Sequence, residues 1–167
     1  MNDLVLRATE KVRESIEIAE RHFSRRFRLD ALLFDLRGRS AGQWVYNRKQ
    51  DTHTIRINRV LLDSGREEVI NQTVPHEVAH LVTYQLHGRA ASAHGAEWQA
   101  VMTDVFGLCP DRCHTIDTTL SSPEPFIYMC KCPKQFRFSL RRHNSQTRRS
   151  NGTSRTRKGP YRCRACN

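Results

Sequence analysis

One segment of five residues constrains this chain more than any other, because His76-Glu77-Val78-Ala79-His80 has the pattern H-E-x-x-H. A helix turns ~100° per residue, so histidines four positions apart lie on one face and both imidazoles can bind one metal ion. Zn²⁺ held by neutral imidazoles lowers the pKa of its bound water toward ~7, and a carboxylate beside that water can take the proton. The pattern therefore predicts a catalytic zinc site with Glu77 as general base, which is the chemistry of a metallopeptidase.

The residues around the motif favour a helix. Apolar residues recur at spacings of three and four, and Gly88 follows the last of them as a helix-ending residue. The apolar residues of this pattern are Val74, Val78, Leu81, Val82 and Leu86. The alternative interpretation is an ordinary amphipathic helix, whose buried histidines and glutamate would then need other hydrogen-bond partners.

A catalytic zinc site needs a third protein ligand. The metzincin pattern requires glycine at position 83 and histidine at position 86, where this chain has Thr83 and Leu86, and His87 is one residue out of register. If the helix ends near Gly88, the chain can reverse and bring His94 back to the metal. Glu97 is the alternative ligand, since a glutamate can take the same place in a zinc site.

The rest of the first two thirds predicts an α+β scaffold. Residues 3–23 have the spacing of an amphipathic helix, and residues 92–102 of a helix that follows the motif. Residues 31–36, 42–47 and 53–58 have the composition of strands, separated by turn residues. We expect a zincin-like domain with an N-terminal helix, a three-stranded antiparallel sheet, the H-E-x-x-H helix and a following helix. An exposed edge of this sheet would be available to a substrate peptide.

The charge of the chain is concentrated in its tail. Residues 126–167 contain 12 of the 28 Lys and Arg residues and none of the 17 acidic ones, so this segment accounts for the net charge of +11. Basic side chains interleaved with aromatic ones favour DNA or another nucleic acid as a partner. The candidate contacts are Arg137, Arg141, Arg142, Arg148, Arg149, Arg155, Arg157 and Lys158. The alternative is a solvated basic tail that binds no particular partner.

The tail also contains two close cysteine pairs, Cys130-x-Cys132 and Cys163-x-x-Cys166. Four thiolates around a tetrahedral Zn²⁺ would form a second, structural site in a zinc-ribbon-like β tail, with His143 as a spare ligand. The spacing of the first pair is tighter than usual, and reduced cysteines without metal are the alternative.

These features predict three segments: a catalytic domain over residues 1–114, a linker rich in Ser, Thr and Pro over 115–125, and the basic tail over 126–167. No stretch approaches the ~20 apolar residues of a membrane span, and the first residues lack the pattern of a signal peptide, so we expect a cytoplasmic protein with no membrane partner. Cysteines in that compartment bind metal or stay reduced. The sequence leaves the oligomeric state open.

The chain resembles the SprT or Spartan-like zinc metallopeptidases from about residue 5 to its end. The resemblance rests on Pro75 to Leu81, on His94-Gly95-x-Glu97-Trp98, on Trp44, Arg56-Ile57-Asn58 and Leu61-Leu62, and on Tyr128-x-Cys130-x-Cys132, Arg141-Arg142-His143-Asn144 and Tyr161-x-Cys163-x-x-Cys166 in the tail. It implies His76, His80 and His94 as zinc ligands, in preference to Glu97, and Glu77 as catalytic acid and base. Eukaryotic relatives act on proteins crosslinked to DNA, so the resemblance implies a protein substrate associated with DNA. The alternative function is a nucleic-acid-binding protein whose zinc is structural.

Overall fold

The chain divides into two compact units, residues 1–122 and 123–167, which are described separately. The computed structural model describes residues 3–111, 116–119, 121, 126–130, 132, 134–150, 164 and 166, and the side chains of residues 65, 66 and 146–150 are left aside. Within these residues, no helix has both the length and the apolar character of a membrane span.

The first unit begins with the predicted helix, α1 (Asp3–Phe23). Its buried face carries Ala8, Val12 and Ala19, which pack with residues of the later helices in one hydrophobic core. On its exposed side, a salt bridge between Arg7 and Glu67 links α1 to the helix that follows the sheet. The α+β class predicted from the sequence is confirmed by this helix and the sheet that follows.

The sheet consists of β1 (Ala31–Leu36), β2 (Gly42–Asn47) and β3 (Thr52–Asn58). Its strand order is β1-β3-β2. The prediction of a purely antiparallel sheet was wrong, because β2 pairs with β3 antiparallel but β1 pairs with β3 parallel. The segment 37–41 crosses the end of β3, a distance of about two strand spacings of ~4.8 Å, which five residues span easily. This order leaves β2 at one edge of the sheet.

Asn58 holds this crossover in place from the end of β3. Its Nδ2 donates to the carbonyl oxygens of Gly38 (3.0 Å) and Ser40 (3.1 Å) and to Ser121 Oγ (2.6 Å), while its Oδ1 accepts from the amide of Val60 at 3.1 Å. The side chain is fully buried, so each of these bonds replaces contacts with water that burial has removed. Ser121, which the sequence places in a linker, packs within the first unit.

The sheet leads into a nearly continuous helical segment. Helix α2 (Arg59–Glu68) is followed by one π-helical turn (Val69–Thr73) and then by α3 (Val74–His87), which contains the motif. Pro75 at the start of α3 has no amide hydrogen and its ring crowds the carbonyl of Asn71, so a regular α-helix cannot pass through this position. Gly88 ends α3 with a positive φ of 62°, which a residue without a side chain adopts without strain.

The chain then reverses, and α4 (Ala96–Ala100) and a second π-helical turn (Val101–Val105) complete the helices of the first unit. The predicted start of this helix at residue 92 was four residues early. Ser92 to Gly95 instead form a turn, in which the amide of Gly95 donates to the carbonyl of Ser92 at 3.0 Å. His94 lies in that turn and is therefore presented before the helix begins.

The second unit contains a hairpin of β4 (Phe126–Met129) and β5 (Gln135–Phe138), followed by α5 (Leu140–Ser150). The tail was expected to consist of β structure, so α5 was not predicted from the sequence. Ser139 begins this helix, and its carbonyl accepts from the amide of His143 at 2.9 Å. Arginine and glutamine are good helix formers, which explains why a segment so rich in polar residues is helical.

Candidate active site

Three imidazoles converge in the first unit. His76 and His80 lie one turn apart on α3, with their Nε2 atoms 3.1 Å from each other. The turn that follows α3 brings His94, whose Nε2 lies 3.2 Å from that of His76. Among the described residues, these three side chains form a group whose possible ligand atoms all lie within 4.8 Å of one another.

The chemistry of this group fits a metal ion. Zn²⁺ binds imidazole nitrogens at ~2.0–2.1 Å, and two tetrahedral ligands at that distance lie ~3.3–3.4 Å apart, close to the observed separations. Burial, together with the neighbouring His76 and His94, lowers the pKa of His80 to about 3, so the ring is neutral and has a lone pair to donate. His76, His80 and His94 would hold the ion.

The ring of Trp98 packs against the rings of all three histidines. Its ring centroid lies 4.7 Å from those of His76 and His94 and 5.5 Å from that of His80. The side chain is completely buried, and its Nε1 donates to the carbonyl oxygen of His76 at 3.4 Å. One rigid indole on α4 therefore restricts the orientation of all three rings.

Glu77 lies beside the histidines and is 6% exposed. Its Oε2 accepts a hydrogen bond of 2.6 Å from the backbone amide of Trp44 on β2. Burial raises the pKa of Glu77 to about 7, and the bond from Trp44 partly opposes that rise. The edge strand β2 thus positions the carboxylate of Glu77, which lies on α3.

Gly42 makes this approach of helix and strand possible. A Cβ atom at this position would lie 2.7 Å from both Cγ and Oε1 of Glu77 and 2.8 Å from Cγ2 of Thr73. Such distances are far below van der Waals contact, so any larger residue would displace the carboxylate. Gly42 was not predicted as a site residue, because no local pattern relates it to a glutamate on a helix so distant in the chain.

The structure places His94, and not Glu97, with the two histidines of the motif. Glu97 is exposed on the first turn of α4 and does not belong to the histidine group. His87 is also exposed, at the last position of α3. The turn formed by Ser92 to Gly95 explains the difference, since it directs residue 94 toward the motif before α4 begins.

An open cleft of about 1120 Å³ contains the histidines and Glu77. The crossover segment and β2 form one side of it, with Arg39 and Trp44 in the lining. The second half of α3 and the turn after it contribute Thr83, Tyr84 and Arg89. The group of three imidazoles therefore faces a space large enough for a segment of polypeptide rather than a closed structural cavity.

The cysteines of the second unit also form a group. Cys130, Cys132 and Cys166 lie within 4.8 Å of one another, and the sulfur atoms of Cys130 and Cys166 are 3.1 Å apart. Cys163, the fourth predicted ligand, lies outside the described residues. Cys109 is exposed and does not belong to the described metal-ligand groups.

His143, the spare ligand, has another place in this unit. Its ring stacks on Phe126 with centroids 3.6 Å apart, and its Nδ1 shares a hydrogen bond of 3.1 Å with the hydroxyl of Tyr128. Tyr128 in turn stacks on Phe138 at 4.5 Å. These aromatic rings pack against each other within the unit, which reduces the surface they offer to nucleic-acid bases.

The predicted basic contacts are described in part. Arg137 on β5 and Arg141 and Arg142 on α5 are exposed. The side chains of Arg148 and Arg149 are not described, and Arg155, Arg157 and Lys158 lie outside the described residues. Of the predicted contacts, the described part of the tail thus presents three exposed guanidinium groups.

Fold and site together define an α+β protein in which an H-E-x-x-H helix presents a three-histidine group that can bind a metal ion beside a buried glutamate. The SprT-like family model matches residues 12–114, and the chain belongs to this family. No solved structure matches it.

Several curated relatives support this assignment over most of the chain. Protein SprT of Pseudomonas paraeruginosa is 41% identical over 128 residues, which cover 75% of each chain. Protein SprT of Vibrio atlanticus is 35% identical over 160 residues, or 96% of this chain and 88% of the relative. Protein SprT of Pseudomonas syringae pv. tomato is 40% identical over 150 residues, 89% of this chain and 83% of the relative.

Proposed function

We propose that the chain is a zinc-dependent metalloendopeptidase. The observation that carries this proposal is the convergence of the Nε2 atoms of His76, His80 and His94 beside the buried carboxylate of Glu77 in an open cleft. A zinc ion bound there supplies a Lewis acid that polarises the scissile carbonyl and acidifies water.

Glu77 has the surroundings of a general acid and base. Its carboxylate takes a proton from the attacking water and returns it to the amine that leaves, and Trp44 N–H holds it in position for both transfers. A cation bound by the adjacent imidazoles would lower its pKa and favour the carboxylate form, which acts as the base.

The edge strand β2 is where we place the substrate. Because the strand order is β1-β3-β2, no further strand among the described residues pairs with the outer side of β2. Trp44 N–H on that side bonds to Glu77, so a peptide that continues the sheet along β2 passes the catalytic carboxylate. An extended, unfolded segment of a protein is therefore the substrate class that fits the cleft.

The test compares Glu77→Gln with Glu97→Gln. Both changes remove one carboxylate, but Glu97 is exposed and lies outside the histidine group. We expect E77Q to keep its zinc and to lose cleavage of an unfolded protein by about 10²- to 10⁴-fold, and E97Q to cleave like the parent. Cleavage by E77Q at the rate of the parent would contradict the mechanism and favour a structural zinc in a nucleic-acid-binding protein.

We further propose that the basic tail binds nucleic acid and brings the peptidase to proteins associated with it in the cytoplasm. The exposed Arg137, Arg141 and Arg142 support contacts with phosphates. The cysteine group of the second unit supports a structural zinc ion held by Cys130, Cys132 and Cys166, with Cys163 as the fourth proposed ligand.

The proposed contacts can be tested by comparing R137A/R141A/R142A with R13A/R25A/R48A. The second variant removes three exposed arginines from the first unit and changes the net charge equally. If three phosphate contacts are lost, the slope of log K against log salt for duplex DNA becomes shallower by about 2.7 in the tail variant only. If both variants change this slope equally, the interaction depends on the net charge of the chain and not on these three arginines.

A further inference from the structure

One part of the cleft has no role in the proposed chemistry. Trp44 on β2 and Tyr84 on α3, which we call the aromatic wall, both line the cleft and are half-buried. Their ring centroids lie 5.0 Å apart with the planes tilted by 47°, so they form one continuous aromatic surface.

Other rings support this wall from behind. Tyr46 packs on Tyr84 at 4.8 Å, and His53 stacks on both Trp44 (5.9 Å) and Tyr46 (4.9 Å). His53 is 6% exposed, and burial lowers its pKa, so this ring is neutral. The wall therefore has a rigid backing that carries no charge at neutral pH, which favours apolar over charged ligands.

The wall is adjacent to the reacting groups. The backbone amide of Trp44 is the group that binds Glu77, and Tyr84 follows the ligand His80 by one helical turn, ~6 Å along the helix. A residue of an extended peptide advances ~3.3 Å, so the side chain next to the scissile bond can reach the wall while the carbonyl lies at the histidines.

We propose that the aromatic wall is the specificity pocket of the enzyme, and that it binds a large apolar side chain, preferably aromatic, of the residue next to the scissile bond. This inference rests on the proposed peptidase function and names the substrate feature that the same cleft selects. Aromatic rings favour tilted or offset contacts with other rings, which the two faces of the wall offer.

The experiment begins with the cleavage sites themselves. The zinc-loaded parent digests an unfolded protein, and mass spectrometry maps the bonds that are cut. We expect Phe, Tyr, Trp, Leu or Met to be enriched at one position beside the cut bond. Two peptides that differ only at that position, with Phe or Ala, should then differ in kcat/KM by about 10- to 100-fold.

The matched variants are Tyr84→Ala and Tyr46→Ala. Both remove one tyrosine ring from the same aromatic cluster, but among the two only Tyr84 lines the cleft. Y84A should lose most of its kcat/KM on the Phe peptide, which brings the ratio of kcat/KM between the two peptides close to one, whereas Y46A should lower thermal stability and keep that ratio. If Y84A loses kcat/KM equally on both peptides, the aromatic wall has only a structural role.

A binding measurement separates failure of this inference from failure of the proposed function. The two peptides are titrated into full-length zinc-loaded E77Q, and the same 10-fold or larger preference for Phe is expected. If the parent cleaves nothing but E77Q prefers the Phe peptide, the peptidase is wrong and the pocket stands. Equal affinities overturn the pocket, as does an enrichment of Asp or Glu at the mapped cleavage sites, which would assign selectivity to Arg89 instead.

Discussion

A single missing side chain determines where the carboxylate of Glu77 lies. Glu77 reaches the amide of Trp44 only because residue 42 has no Cβ. We expect Gly42→Ala to lower kcat by at least about 10-fold, since a shift of ~1 Å in a catalytic group costs up to about 10²-fold. Steady-state cleavage of an unfolded protein measures the effect.

Gly107→Ala is the control for this change. Gly107 has a positive φ of 64° but no neighbour within 4 Å of an added Cβ, so alanine there strains the backbone away from the cleft. G107A should lose stability and keep its activity per folded molecule. If G42A is as active as the parent, the contact between strand and helix does not position Glu77.

Trp98 contacts the rings of all three histidines. Trp98→Ala removes a fully buried indole that contacts three imidazoles, which should cost about 3–5 kcal/mol of stability and weaken zinc binding. Trp98→Phe retains a flat ring and should recover most of the affinity. Competition with a chelator at a temperature where both variants are folded measures it, and unchanged zinc affinity in W98A would contradict this role.

The residues of the site differ in how far the sequence could predict them. The positions of His76, Glu77 and His80 on one helix follow from helical geometry, because four residues make about one turn. His94 required a chain reversal that Gly88 makes probable but whose direction depends on the turn at Ser92 to Gly95. Gly42 gave no signal, since its contact with Glu77 forms only when sheet and helix pack.

At the scale of elements, one asparagine joins three parts of the first unit. Asn58 caps α2, fixes the crossover between β1 and β2, and binds Ser121. Asn58→Ala leaves three oxygen atoms without this donor and removes the cap, so we expect a loss of about 3 kcal/mol or more in the free energy of unfolding. Urea denaturation measures it.

Asn47→Ala provides the comparison, because Asn47 also bonds to nearby amides but is exposed at the end of β2. Water replaces its bonds, so its loss should cost about 1 kcal/mol or less. Equal destabilisation by N58A and N47A would show that the buried network does not stabilise the crossover.

The pairing of the strands was the element that sequence reasoning predicted wrongly. Composition and the turn residues between the segments identified all three strands, but such local patterns do not state which strand is the neighbour of which. The parallel pair β1–β3 depends on the crossover of residues 37–41 and on its bonds to Asn58. These contacts are tertiary, so no local pattern encodes them.

At the scale of the whole molecule, the positive charge is concentrated in the tail. Basic residues outnumber acidic ones only because of the tail, a division that was readable from the sequence by counting. The helix α5 could not be predicted from the sequence, because a segment of arginine and polar residues has no apolar stripe that would identify a helix.

The central claim of this account is that one zinc ion binds His76, His80 and His94 next to Glu77. Zinc per chain, measured on the full-length parent, His94→Ala and Glu97→Ala, tests it most directly. We predict that H94A contains one zinc ion fewer than the parent and has no peptidase activity, and that E97A matches the parent in both. Loss of zinc from E97A but not from H94A would contradict the account.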